Sequence, residues 1–138
     1  MNWRDWLAAF AGRAGIGDRR EAERSLPHIA YELGGCLTWV EAQNIADELP
    51  RPLAGAVREG AFGTAMARFS APAFVALVAE RDGLSLDESR RRVSAFLSLL
   101  REELPGADVA RLWEELARWR PELAGPAAGA AATPPRPG

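Results

Sequence analysis

The sequence predicts an all-α protein, a bundle of six or seven helices built from two three-helix repeats. Apolar residues recur at helical spacing in several segments, and no segment shows the sustained alternation of a strand. The apolar skeleton of the first half also recurs in the second half without a gap, about 67 residues on, so that Leu7 pairs with Phe74 and Leu26 with Val93. A repeat of this kind specifies packing and not chemistry.

The first repeat, about residues 3–59, begins with two predicted helices. Asn2 is a suitable N-cap for the first helix, and Gly12 ends its apolar pattern. Asp18 opens the second helix, where Pro27 removes a backbone hydrogen bond and should produce a kink. The inward positions of this helix cover a sector of about 100°: Ala22, Leu26, Ile29, Ala30, Leu33 and Leu37.

The third helix of this repeat has a clear start and a clear end. Thr38 and Glu41 have the spacing of a capping box, and Asp18 with Glu21 resembles one. The helix should end at Leu49-Pro50, because a residue before proline is disfavoured in the helical region. A short helix to about Glu59 is compatible with the sequence, and residues 60–69 have the composition of a loop between the repeats.

The second repeat, about residues 70–123, has the stronger signals. Ser70 is the N-cap of its first helix and Gly83 ends that helix. Ser85, with Glu88, opens the longest helix, and Pro105-Gly106 is the turn before the last one. We expect residues 1–124 to form one helical domain, and residues 125–138, rich in Pro, Ala and Gly, to form a flexible tail.

The composition and charge of the chain argue against several classes of function, among them lysine-dependent catalysis. The formal charge is −2, and all 17 basic residues are arginine, so no lysine is available for covalent or base catalysis. No apolar run approaches the roughly 20 residues of a membrane helix, and the start lacks the layout of a signal peptide. Cys36 has no second cysteine to pair with. We therefore expect a cytoplasmic protein without a membrane partner.

Three residues at intervals of four, His28, Glu32 and Cys36, are the clearest candidate for a metal or nucleophile site. On a helical wheel, however, His28 and Glu32 project about 120–160° from the centre of the apolar stripe, towards solvent or a partner. A closed zinc site also needs a fourth ligand, which the sequence does not supply. We expect neither a metal nor a cofactor here, and no catalytic residue is assigned.

Arginine-rich segments offer a second candidate, a phosphate-binding surface for nucleic acid. Consecutive helical residues point about 100° apart and cannot form one stripe, and carboxylates at i,i+4 spacing are available to pair with them. The sequence therefore favours a solvated helix surface over nucleic-acid binding. The residues concerned are Arg19, Arg20, Arg24, Arg90, Arg91 and Arg92.

Two of the five tryptophans lie at the margin of their apolar stripes: Trp39 in the third helix and Trp119 in the last. Partly exposed tryptophan is enriched at protein–protein interfaces. Either residue could mark such an interface; otherwise both pack beneath the bend or the tail.

The assembled motifs resemble a bacterial family known only as domain of unknown function 2267. The resemblance covers about Phe10 to Leu123, although the second copy lacks the Leu-Pro pair. It implies a repeated, all-helical domain and no activity, so no site residue is carried over. The matching motifs are Leu37-Thr38, Glu41-Ala42, Leu49-Pro50, Gly83-Leu84-Ser85 and the run that ends at Leu104.

Taken together, these observations favour a non-enzymatic helical module that binds another protein or a second copy of itself. The runner-up is a nucleic-acid-binding protein that uses the arginines of the long helices. A small enzyme or metal protein is the third alternative.

Overall fold

The computed structural model describes the backbone of residues 1–63 and 70–132 and the side chains of residues 1–62 and 70–124. Within these residues it shows seven α-helices and no strand. This confirms the predicted all-α class. The helices are α1 (Trp3–Ala14), α2 (Arg19–Gly34), α3 (Trp39–Ala46), α4 (Arg51–Gly63), α5 (Ala71–Asp82), α6 (Leu86–Glu103) and α7 (Ala110–Ala132). The bounds of α5 and α6 follow those of α1 and α2 at close to the predicted spacing, while the two-repeat interpretation stays a prediction.

Local capping signals set most helix starts and two helix ends. The Asn2 Oδ1 atom accepts a hydrogen bond from the backbone N–H of Asp5 at 2.8 Å, and Ser70 caps α5 in the same way. Gly83 ends α5 in the left-handed region, with a φ of 67°. The predicted end of α1 at Gly12 was wrong: the helix continues to Ala14, and Gly15, with a φ of 73°, provides the left-handed cap.

Glu41 completes the predicted capping box at the start of α3. Its carboxylate accepts from the Thr38 N–H at 3.0 Å, while Thr38 Oγ1 accepts from the Glu41 N–H. Arg111 of α7 also donates two hydrogen bonds to this carboxylate. Partial burial acts to raise the pKa of Glu41, but these hydrogen bonds and the arginine charge outweigh it and leave the pKa lowered.

The other two capping glutamates, Glu21 and Glu88, bind elsewhere. Asp18 caps α2 through the N–H of Arg20, and Ser85 caps α6 through the N–H of Glu88. The side chains of Glu21 and Glu88 instead accept hydrogen bonds from Arg92, at 2.6 and 2.8 Å. An unpaired buried guanidinium costs more free energy than an uncapped N–H group at an exposed helix end, which water can satisfy.

The prediction of a loop over residues 60–69 was wrong for its first part, because α4 continues to Gly63. Gly60 is buried where α4 crosses α2, and a Cβ atom placed on it would lie 2.0 Å from the carbonyl oxygen of Tyr31. The absence of a side chain thus permits close contact between the two helix backbones. The rest of the predicted loop, residues 64–69, lies outside the described residues.

The last helix is longer than predicted. In the first half, residues 47–50 separate α3 from α4, and α3 ends at Ala46, before the predicted end at Leu49-Pro50. The position that corresponds to Pro50 in the second half is Ala117, and α7 runs through it without a break. The helix also passes Gly125, the predicted start of the tail, and ends at Ala132, in keeping with the high helix propensity of alanine. Residues 133–138 of the predicted tail lie outside the described residues.

Helices α2 and α6 form the centre of the bundle. Helix α2 contacts α1, α4, α5 and α6, and α6 contacts α1, α2, α5 and α7. The buried apolar side chains form one continuous core that both halves of the chain share. Its largest fully buried members are Trp6, Phe10, Phe74 and Phe96.

Candidate functional site

The most conspicuous surface feature is an apolar patch of three residues, Trp39, Val40 and Phe62, which we call the Trp39 patch. The capping box at Thr38 makes Trp39 and Val40 the first two residues of α3. Val40 lies about 200° around the helix from the buried Ala42, so its side chain points away from the core. Phe62 lies in the last turn of α4.

The patch joins the start of α3 to the end of α4. The rings of Trp39 and Phe62 lie 6.0 Å apart between centroids and are tilted by 59°. The exposed fractions of Trp39, Val40 and Phe62 are 50%, 66% and 82%. Sequence reasoning found Trp39 but missed Phe62, because residues 60–69 were assigned to a loop; a helical continuation of α4 would have indicated its position.

Polar contacts hold the two helices of the patch in place. Arg58 of α4 donates through Nε to Gln43 and through Nη2 to Asp47, both at 3.0 Å. The apolar residues Leu53 and Val57 of α4 are fully buried beneath. The patch is thus presented by a supported helix pair, with an arginine, an amide and a carboxylate on those helices.

Trp119, the second predicted interface residue, is not exposed. It is 4% exposed, its ring meets Phe74 edge-on at 5.5 Å, and its Nε1–H donates to Glu115 at 3.2 Å. Of the two alternatives that the sequence left open for Trp119, an interface or packing within the protein, the structure shows packing. The physical reason is that α5 packs against α7 and covers this side chain.

His28, Glu32 and Cys36 do not form a joint site. The face of α2 that carries His28 and Glu32 was expected to meet solvent or a partner, but it packs against the end of α5. There the Nδ1 atom of His28 lies 2.5 Å from Oδ1 of Asp82, and Glu32 pairs with Arg81 at 3.3 Å.

The Asp82 carboxylate is largely buried and serves two residues of α2. Its second oxygen, Oδ2, accepts a hydrogen bond from the hydroxyl of the buried Ser25 at 3.0 Å. This arrangement fastens the end of α5 to the middle of α2. Among the described residues, no group of three or more His, Cys, Asp or Glu side chains is placed to hold a metal ion.

Cys36 differs from His28 and Glu32 because it takes part in neither of their ion pairs with α5. Its thiol contacts the backbone carbonyl of Glu32, and burial, with a further contribution from the Glu32 charge, raises its pKa to about 12. A thiol with such a pKa carries almost no thiolate near neutral pH. Cys36 is therefore a poor nucleophile in the folded chain.

Of the six candidate arginines, one is buried and three others are paired with carboxylates. Arg92 is 4% exposed and is held by Glu21 and Glu88. The other members of the basic run pair with carboxylates of the preceding turn: Arg90 with Asp87 and Arg91 with Glu88. In the other group, Arg19 pairs with Glu23, and Arg20 and Arg24 are exposed. The run of three thus offers solvent at most two guanidinium groups.

Comparison with known proteins identifies the family. Residues 3–121 match the family described as "Uncharacterized conserved protein (DUF2267)", and the chain belongs to this family. Neither a curated protein nor a solved structure matches it. No helix in the described part of the chain combines the length and apolarity needed to cross a membrane.

Proposed function

We propose that this protein is a non-enzymatic binding module that docks an amphipathic helix of another protein on the Trp39 patch. The observation that supports the proposal is the exposure of two aromatic rings in contact on a supported helix pair, with an exposed valine next to Trp39 in the sequence. Aromatic residues dominate binding energy at interfaces because they bury a large area with little loss of side-chain freedom. We assign the protein to the cytoplasm on the basis of its single cysteine.

The size of the patch favours a different protein over a second copy. From their exposed fractions, the three side chains present roughly 350–400 Å² of apolar surface. Two copies meeting through this patch alone would bury roughly 700–800 Å², which is below the roughly 1,000 Å² of a stable interface. An amphipathic helix can extend along α3 and α4 and also contact their polar side chains.

The energetic scale predicts a reversible complex. At about 25 cal/mol per Å², burying this apolar surface contributes roughly 9 kcal/mol before costs. Association costs several kcal/mol in lost translational and rotational freedom, and side chains at the interface must also be ordered. The patch therefore suits a transient contact whose affinity depends strongly on Phe62 and Trp39.

The test compares two exposed apolar sites on the same chain. Full-length wild type, Phe62→Ser and Leu86→Ser are each used to capture proteins from the host. Leu86 is the matched control, because it is 54% exposed at the start of α6, outside the patch. A captured protein is then purified and its affinity for each variant is measured by calorimetry.

We expect the purified partner to bind wild type and Leu86→Ser equally and Phe62→Ser at least about tenfold more weakly. The same affinity for all three chains would refute the proposal, as would the absence of any Phe62-dependent binding. Sedimentation of wild type alone provides a further check. A dimer that Phe62→Ser dissociates would show that the patch binds a second copy and not another protein.

A further inference from the structure

We infer that a cleft between α6 and α7 is a binding site for a small organic carboxylate. The cleft has a volume of about 240 Å³ and lies between the last two helices. Leu97 and Leu116 contribute to its apolar wall, together with the ring of Trp113. Arg101 and Arg120 also line it, and no acidic side chain does.

The two arginines of this cleft, unlike most other arginines of the described residues, have no carboxylate partner. Among the described residues neither Arg101 nor Arg120 forms an ion pair, whereas Arg13, Arg90 and Arg91 all do. The guanidinium carbon of Arg101 lies 4.6 Å from the ring centroid of Trp113. Stacking on the indole holds this group in position and leaves its N–H donors available to an anion.

A third donor lies at the same place. The Nε1–H group of Trp113 is buried and has no hydrogen-bond partner among the described residues. Buried N–H groups are nearly always paired in folded proteins, so an unpaired one requires an explanation. A ligand oxygen would provide the missing acceptor if binding brought this N–H group to the surface of the cleft. Ser98, whose side chain also lines the cleft, adds a hydroxyl donor.

The shape and charge together define the ligand class. Two cations without a lining carboxylate select an anion, and the leucine and indole walls select an apolar body. The cleft holds roughly eight non-hydrogen atoms if each occupies the roughly 30 Å³ of a water molecule. A monocarboxylate of about six carbons has this size and polarity.

A larger neighbouring cleft is the weaker candidate. It has a volume of about 470 Å³ and is also lined by arginines, Arg13 and Arg90 among them. These are already paired with Glu102 and Asp87, which line the same cleft. An anion there would have to compete with these carboxylates for the arginines. In the cleft of Arg101 and Arg120 there is no such competition, because no carboxylate lines it.

The experiment titrates hexanoate into the full-length chain and follows the indole N–H signals by NMR. The Trp113 signal is assigned as the one lost in Trp113→Phe. We expect saturable binding that shifts this signal, and at least about tenfold weaker binding to the double variant Arg101→Gln, Arg120→Gln. Arg118→Gln is the matched control, because Arg118 is exposed on the same helix, pairs with Glu115 and does not line the cleft.

Two further probes separate charge from apolarity. Hexanol should bind at least about tenfold more weakly than hexanoate, because it lacks the charge that the arginines recognise. Inorganic phosphate, which lacks the apolar body, should also bind weakly. Equal binding of hexanol and hexanoate, unchanged affinity of the double variant, or no saturation by about 50 mM hexanoate would each overturn the inference.

Discussion

Replacing Gly60 with alanine tests the close contact between α2 and α4. A Cβ atom at residue 60 would lie 2.0 Å from the carbonyl oxygen of Tyr31, and one at Gly34 would lie 2.2 Å from the carbonyl oxygen of Val57. Both obstacles are backbone atoms, so no side-chain rotation relieves the clash. The helices would have to separate by about 1 Å to reach the 3.0 Å below which Cβ contacts are essentially never seen.

Two opposing effects determine how much Gly60→Ala changes the free energy of unfolding. Alanine is favoured over glycine inside a helix by about 1 kcal/mol. Overpacking a well-packed core costs about 1–3 kcal/mol, and a gap of 0.5–1 Å elsewhere along the interface forfeits roughly a quarter to a half of each affected contact. With the backbone as the obstacle we take the upper end of that cost, and expect Gly60→Ala to destabilise the fold by about 2 kcal/mol.

Gly55→Ala is the matched control on the same helix. Gly55 is exposed on α4, and nothing lies within 4 Å of a Cβ atom placed there. Here only the propensity effect remains, and we expect stabilisation by about 0.5–1 kcal/mol. Urea unfolding followed by circular dichroism measures both variants, and equal m-values make the midpoints comparable. If Gly60→Ala is as stable as wild type, or gains stability as Gly55→Ala does, the reasoning is refuted.

Three further predictions concern the polar groups of the bundle. Asp82→Ala removes the acceptor of the buried Ser25 hydroxyl and should cost about 2 kcal/mol in the same unfolding assay; a change below about 0.5 kcal/mol would contradict this. Because the pKa of Glu41 is lowered by folding, its contribution to stability is fully present above the unfolded value of about 4.3 and is lost as pH falls through the folded value. Glu41→Gln should therefore be less stable than wild type at neutral pH and lose less stability on acidification. Equal stability of the two chains across this pH range would show that the contact with Arg111 has no effect. Cys36, with a pKa of about 12, should react with a chromogenic disulfide reagent at about pH 8 far more slowly in the folded chain than in urea, and equal rates would show that its thiol is accessible.

Much of the fold could be predicted because its signals are local. An N-cap such as Asn2 or Ser70 acts on backbone groups two or three residues away, and a left-handed glycine such as Gly83 acts within one turn. The apolar stripe of α2 has the period of the helix itself, and all six predicted inward residues are buried, although Leu37 lies beyond the end of the helix at Gly34. These features need no knowledge of any other helix.

The candidate sites were predicted less well, because they depend on contacts between distant segments. Trp119 is buried because α5 covers it, and Arg92 is buried because carboxylates of two helices neutralise it. The error in the loop assigned to residues 60–69 has the same origin. No signal in the neighbouring sequence indicates that Gly60 is helical. A glycine is needed inside α4 because the carbonyl of Tyr31 leaves no room for a side chain at that point.

The sequence by itself determined that the chain is helical, where most helices begin and which residues of the apolar stripe of α2 are buried. These properties follow from hydrogen bonds and periodicities within a few residues. Only the tertiary structure decided which side chains remain at the surface, because exposure depends on which helix lies opposite. Thus Trp39 meets Phe62 in an exposed patch while Trp119 is enclosed, although both tryptophans occupy the margin of an amphipathic helix.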